Sequence, residues 1–192
     1  MVFFRIKKIK GKEYAYIVEN EWKPTAKSVG TLRGSDMRGS RRDSLAMSKP
    51  RGSRQKVKGY IGKVYRFNLL QDVDFLEYSK IGNTRDYVEN NDKKRIISDL
   101  IEWELFKFGV SKEKFLIDLN IIKIKKNKKN VALLLNDGFM CNYTLKNLLD
   151  FKPQGDEEVD GYRLARAFVD AGIKVPQEVF VGIYNKLYKT TE

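Results

Sequence analysis

The chain is expected to be an α+β protein: an N-terminal three-stranded antiparallel β-meander carrying a long basic hairpin insertion, followed by a mixed helical and β-hairpin domain. Three observations lead there. Apolar and polar residues alternate with period two through the first twenty positions and again after position 54. The stretch between them has no apolar periodicity. From position 93 onward, apolar residues recur mainly at helical spacing.

Val2 to Ile9 reads as a strand with Phe4 and Ile6 on one face and Arg5 and Lys7 on the other, and Lys10-Gly11-Lys12 supplies the turn. Glu13 to Glu19 continues as a second strand, with Tyr14, Tyr16 and Val18 sharing a face and Trp22 just beyond. A third strand runs from about Gln55 to Phe67, where Gly59 and Gly62 mark a bend or bulge. These strands define a basic meander over 1–67 with an inserted Arg/Gly/Ser loop at 23–54, then a polar connector over 68–92 containing the Gly82-Asn83 turn signal. An α+β C-terminal domain over 93–192 follows.

In that last part the spacing predicts a helix from Lys93 to Phe108, capped by Asp92 or Asn91 and closed by Gly109. Its core face would carry Ile97, Leu100, Ile101, Leu105 and Phe108, while Asp99, Glu102 and Glu104 would form the solvated face. Ser111 can cap a second short helix reaching about Leu119. Ile121 to Lys126 and Val131 to Asn136 read as a hairpin, and helices are expected near Tyr143 to Phe151, Gly161 to Ala171 and Gln177 to Lys189.

Charge narrows the function. The 192 residues hold 38 Lys plus Arg against 25 Asp plus Glu, a net of +13. Residues 1–66 contain 18 basic and 5 acidic side chains, and the remainder is balanced at 20 of each, so the whole excess is N-terminal. A chain keeping such self-repulsion usually has a polyanion to offset it. The inserted loop alone holds nine basic and two acidic residues, repeats Arg-Gly-Ser at 33, 38 and 51, and echoes Lys23-Pro24 as Lys49-Pro50. Residues 25–50 thus read as an insertion into an ordinary hairpin.

The side chains expected to grip phosphate are Arg5, Lys7, Lys8, Lys10 and Lys12 of the first hairpin, with Lys56 and Lys58 of the third strand and Tyr60 beside them. The loop adds Lys27, Arg33, Arg38, Arg41, Arg42, Lys49, Arg51 and Arg54. Tyr14, Tyr16, Trp22, Tyr60 and Tyr65 are candidate stacking platforms for bases, although aromatics in a small sheet more often serve as its core.

Other chemistry finds little support. The chain has no histidine and one cysteine, which removes the commonest general base, the usual zinc sites and any Cys/His nucleophile pair. No phosphate-binding Gly-x4-Gly-Lys-Ser/Thr pattern occurs. Asp156, Glu157, Glu158 and Asp160 form an acidic cluster, and a magnesium-dependent nuclease needs two or three converging acids, but their place just before the Gly161 helix suits its N-terminal dipole instead. Cys141 is expected to be a small buried hydrophobe. No enzyme activity, cofactor or metal is therefore expected. The apolar run in MVFFRIKKIK is too short for a signal peptide or a membrane span, which points to a cytoplasmic protein without a membrane partner. Abundant Lys, Ile and Glu would suit an archaeal or thermophilic source.

Phe4 to Glu19, followed by Arg54 to Gly62, resembles the small β-meander at the N-terminus of insertion-sequence transposases and related archaeal proteins, over about residues 3–22 and 54–67. The resemblance implies DNA binding. The 26-residue insertion is foreign to that module, and the remaining chain lacks the layout of an acidic-triad catalytic domain.

Together these readings predict a non-enzymatic nucleic-acid-binding protein, RNA favoured over DNA and associated with the ribosome. The neutral C-terminal domain would contact protein or a second copy of the chain. A DNA-binding protein derived from the transposase-like module is the alternative, and a magnesium-dependent nuclease a further one.

Overall fold

Alternation in the first twenty residues is realised as β1 (Val2–Ile9) and β2 (Lys12–Glu21), paired antiparallel with Phe4 opposite Ile17 and Ile6 opposite Ala15. Lys10 (φ 48°) and Gly11 (φ 75°) form the two-residue connection, both in the left-handed region that matches the twist of a tight hairpin. The computed structural model describes residues 2–21 and 54–189; Trp22 and residues 23–53 of the inserted loop lie outside the described residues, and Arg54 belongs to the next strand.

β3 (Arg54–Arg66) pairs antiparallel with β2, so the expected meander forms. The chain then adds β4 (Leu116–Asp118), β5 (Lys123–Lys126), β6 (Lys129–Leu135) and β7 (Gly138–Met140). Strand order across the mixed sheet is β1-β2-β3-β6-β5-β4, with β7 also bonded to β6. The last four residues of β3, Lys63 to Arg66, run parallel to Val131–Leu134 of β6. The α+β class stands, and the meander continues into the C-terminal strands.

Gly62 makes that junction feasible. A Cβ there would lie 2.2 Å from the carbonyl oxygen of Asn130 and 2.8 Å from the Cα of Val131, and its φ of 152° is one that side-chain-bearing residues seldom adopt. Only glycine lets β3 come close enough to start the parallel ladder.

The described residues form six helices: α1 (Phe75–Ser79), α2 (Thr84–Asn90), α3 (Lys93–Lys107), α4 (Asn142–Leu149), α5 (Glu157–Asp170) and α6 (Gln177–Lys189). The first two lie in the polar connector, for which only the Gly82-Asn83 turn was expected. Asp74 and Asn83 accept from the backbone N–H groups of Leu76 and Arg85, which caps both helices, and each buries one apolar residue, Phe75 and Val88. A polar segment with only two such anchors shows little periodicity. The expected helix after Ser111 is also replaced: a turn leads into β4, because Phe115 packs its ring against Tyr65 and Phe67 at 5.2 and 5.7 Å and Leu116–Asp118 pairs with β5. Tertiary packing outweighs local capping there.

The main core lies between the sheet and α3, α4, α5 and α6, and includes Ile96, Ile97, Leu100, Ile101, Leu133, Leu135, Leu148 and Phe168. A smaller cluster lies under the meander, formed by Ala15, Ile61 and Val64 with Ala132 and Cys141. There Phe4 stacks on Phe139 at 5.4 Å and meets Tyr143 edge-on at 6.0 Å.

Glu104 corrects another expectation. Far from lying on a solvated face, it is 0% exposed. Its carboxylate accepts from Lys107 Nζ (3.1 Å), the backbone N–H of Lys174 (2.8 Å) and Asn136 Nδ2 (3.3 Å), and Asn136 Nδ2 also donates to the Gly172 carbonyl (2.8 Å). Lys107 Nζ sits 3.5 Å from the centroid of the Trp103 ring. One buried carboxylate thus ties α3 to the β6–β7 turn and to the segment between α5 and α6. Helical spacing alone could not show that these loops fold over it.

Three outcomes are expected in urea unfolding. Gly62→Ala should cost about 2–5 kcal/mol through overpacking and backbone strain. Gly59→Ala, whose new Cβ would meet nothing within 4 Å, should stay within about 1 kcal/mol of the parent; equal effects would remove the close-approach argument. Glu104→Ala, which strands Lys107 in a buried site, should cost about 3–5 kcal/mol, and a loss below about 1 kcal/mol would show that the carboxylate is dispensable.

Candidate nucleic-acid interface

Directly opposed residues in an antiparallel pair share a face, which assigns the two sides of the meander. Arg5 is opposite Tyr16, and Tyr16 is opposite Tyr60. Lys7 is opposite Tyr14, and Tyr14 is opposite Lys63. The outer face therefore carries two parallel rows, one reading Arg5–Tyr16–Tyr60 and the other Lys7–Tyr14–Lys63. Ring centroids of Tyr60 lie 5.3 Å from Tyr16 and 6.3 Å from Tyr14, and Lys7 Nζ stands 5.2 Å from the centre of Tyr16. Arg5 Nη1 donates to Gln55 Oε1 at 2.9 Å, which holds its guanidinium across the sheet.

The carboxylates lie on the other side. Glu13, Glu19 and Glu21 alternate with the outer tyrosines and share the side of Ala15 and Ile17. Each meets a cation from β3: Glu13 with Arg66 (2.7 Å), Glu19 with Lys58 (2.6 Å) and Glu21 with Lys56 (3.0 Å). The Arg66 hydrogen bond holds the Glu13 carboxyl below its usual range, and Lys58 does the same for Glu19. No carboxylate from β1, β2 or β3 alternates onto the outer face.

The expected phosphate contacts therefore separate. Arg5, Lys7 and Tyr60 lie on the outer face and are exposed, Tyr60 by 58%. Lys10 projects from the hairpin turn. Lys8 and Lys12 join Lys63 and Arg66 around a depression of about 290 Å³ beside Gly11. Lys56 and Lys58 are engaged in ion pairs, and Arg54 begins β3 opposite Glu21. Lys27, Arg33, Arg38, Arg41, Arg42, Lys49 and Arg51 lie outside the described residues. Tyr14, Tyr16 and Tyr60 are not core, contrary to the commoner use of small-sheet aromatics; Phe4 takes that role beneath the meander. Tyr65 is shared, packing on Phe115 while Lys63 and Lys126 stand 4.7 and 4.5 Å from its ring centre.

Lys63 was not singled out by its sequence. It is one more lysine in an alternating strand, and only the pairing with Tyr14 sets it apart. Burial raises the Tyr60 hydroxyl above its ordinary value, and Tyr16 and Tyr14 add to the shift, so the phenol is neutral at physiological pH.

Two members of the acidic run, Asp156 and Asp160, are committed to structure. Asp156 caps α5 by accepting from the Val159 N–H at 3.1 Å. Asp160, 1% exposed, accepts from the Gln154 and Gly155 N–H groups, Tyr188 Oη and Arg163 Nη1. Among the described residues no group of three or more His, Cys, Asp or Glu is placed to hold a metal ion. Cys141 is fully buried, as expected, and burial pushes its thiol up. Among the described residues no helix is long and apolar enough to cross a membrane. The chain matches no protein-family model, no curated protein and no solved structure.

Burial opposes the charged form of Asp160, but hydrogen bonds from Gln154, Tyr188, Gly155 and Arg163 outweigh it and hold the carboxyl below the usual aspartate range. A depressed carboxyl contributes its full stabilisation above the ordinary aspartate pKa and loses it as pH falls through the lowered native value. Asp160→Asn should thus melt below the parent near neutral pH, with the gap closing in acid. A gap that stays constant down to strongly acidic pH would contradict this account.

Proposed function

We propose that the chain is a non-enzymatic nucleic-acid-binding protein, RNA-binding and associated with the ribosome, gripping phosphate through the basic N-terminal sheet and the loop between β2 and β3. One observation carries the reading. All of the net positive charge falls in residues 1–66, and within that segment the strands set their carboxylates on the inner face and Arg5, Lys7 and Lys63 on the outer one. A polyanion approaching this face meets cations with no competing acid from the same strands. The Arg-Gly-Ser repeats extend the same charge along a segment suited to following a phosphate path. The balanced remainder of the chain is left for contact with protein or a second copy.

A DNA-binding reading rests on the resemblance of residues 3–22 and 54–67 to the transposase meander. Competition at matched ionic strength separates the two: preference for structured RNA over duplex DNA supports the first, and the reverse supports the second. Co-sedimentation with ribosomal subunits tests the association. Deleting residues 25–50 should weaken binding and flatten its salt dependence, by about 0.9 log–log units per lost phosphate contact on duplex DNA and about 0.7 on a single strand. Unchanged affinity and slope would remove the loop from the interface.

A further inference from the structure

We infer that the outer face of the β1–β3 sheet takes an unpaired nucleic-acid strand, with bases stacked on Tyr14, Tyr16 and Tyr60 and the backbone flanked by Arg5, Lys7 and Lys63. This inference rests on the proposed function and names the form of nucleic acid that this site accepts.

The tyrosines carry it. Cations alone would serve any phosphate backbone, and a duplex keeps its base faces stacked inside, where an exposed ring cannot reach them. Here three rings form a continuous patch, with neighbouring centroids 5.3 and 6.3 Å apart, and the outermost is 58% exposed. Next to Tyr60 on the same strand, Val57 is 48% exposed. Such an apolar surface bounded by cations and free of strand carboxylates complements one polymer, a strand that offers flat apolar bases and regularly spaced phosphates together.

The backbone is shaped to present this patch. Ala15 is opposite Gly62 while the next residue, Tyr16, is opposite Tyr60, so Ile61 is the extra residue of a bulge. Without it Ile61 would face Tyr16 on the outside and Tyr60 would turn inward, because a one-residue slip exchanges the faces of a strand. With it Ile61 is 7% exposed in the cluster beneath the meander and Tyr60 completes the outer row. The bulge places the larger, more polar ring outside and the aliphatic side chain within.

The test uses the full chain and a fluorescent RNA of about twelve nucleotides, presented unpaired or as a blunt duplex of the same sequence, at matched salt. The single strand should bind more tightly. Tyr60→Ala should weaken single-strand binding by about tenfold or more, leaving duplex affinity and the salt slope unchanged, whereas Tyr60→Phe should retain binding. An unaltered unfolding midpoint for Tyr60→Ala confirms that the fold is intact, and Tyr16→Ala supplies a second ring removal if it is not. Equal affinity for the two forms, or loss of neither on removing the rings, would overturn the inference while leaving phosphate gripping in place. Failure to bind either form would overturn both.

Discussion

The architecture depends on β3 serving two ladders. Its first nine or so positions complete the meander against β2, and its last four open a parallel ladder with β6. The change of partner occurs where Gly62 passes the backbone of Asn130 and Val131 at a distance no side chain permits. Parallel pairing also needs a long crossover, and the segment from α1 through β5 provides it. A small antiparallel ribbon is barely stable alone, so this junction lends the meander the rigidity of the main core.

From that junction the two faces of the meander acquire different roles. Val64 pairs alongside Ala132, and together with Ala15, Ile61 and Cys141 they close a cluster beneath the strands. Phe4 extends it through Phe139 and Tyr143. The opposite face buries Val18, leaves Tyr60 exposed and sets its lysines among aromatic rings. Charge follows the same division. The strand carboxylates are matched by β3 cations on the inner side, where Lys8 also lies, while Arg5, Lys7 and Lys63 stand outside with no acid from these strands. Among the described residues, the buried charges elsewhere are partnered, as at Glu104 with Lys107, Asn136 and the Lys174 N–H.

Much of this was legible in the residues. β1 and β2 begin and end close to the limits of their alternation, α3 starts at its Asp92 cap, and α6 spans its apolar stripe. These elements have strong periodicity and local end signals, so little outside them is needed. The segment from 68 to 92 misled because α1 and α2 are short and each buries one residue. The Ser111 segment misled because a valid cap competes with Phe115 inserting between Tyr65 and Phe67. Glu104 misled because its partners arrive from loops 32 and 70 positions away.

The site divides in the same way. Composition along the chain determined that positive charge gathers in the first third, and alternation determined that Arg5 and Lys7 oppose Phe4 and Ile6 and that Tyr14 groups with Tyr16. It did not determine which side would be covered, because Phe4, Ile6 and Ile17 on one face and Tyr14, Tyr16 and Val18 on the other are both apolar enough to pack. Nor did it determine that Tyr60 would join the outer rings, since a count of two along β3 without its bulge turns that residue inward. Those choices belong to the tertiary structure: burial is settled by what β6, β7 and α4 bring against the strands, and register by hydrogen bonding between segments distant in sequence.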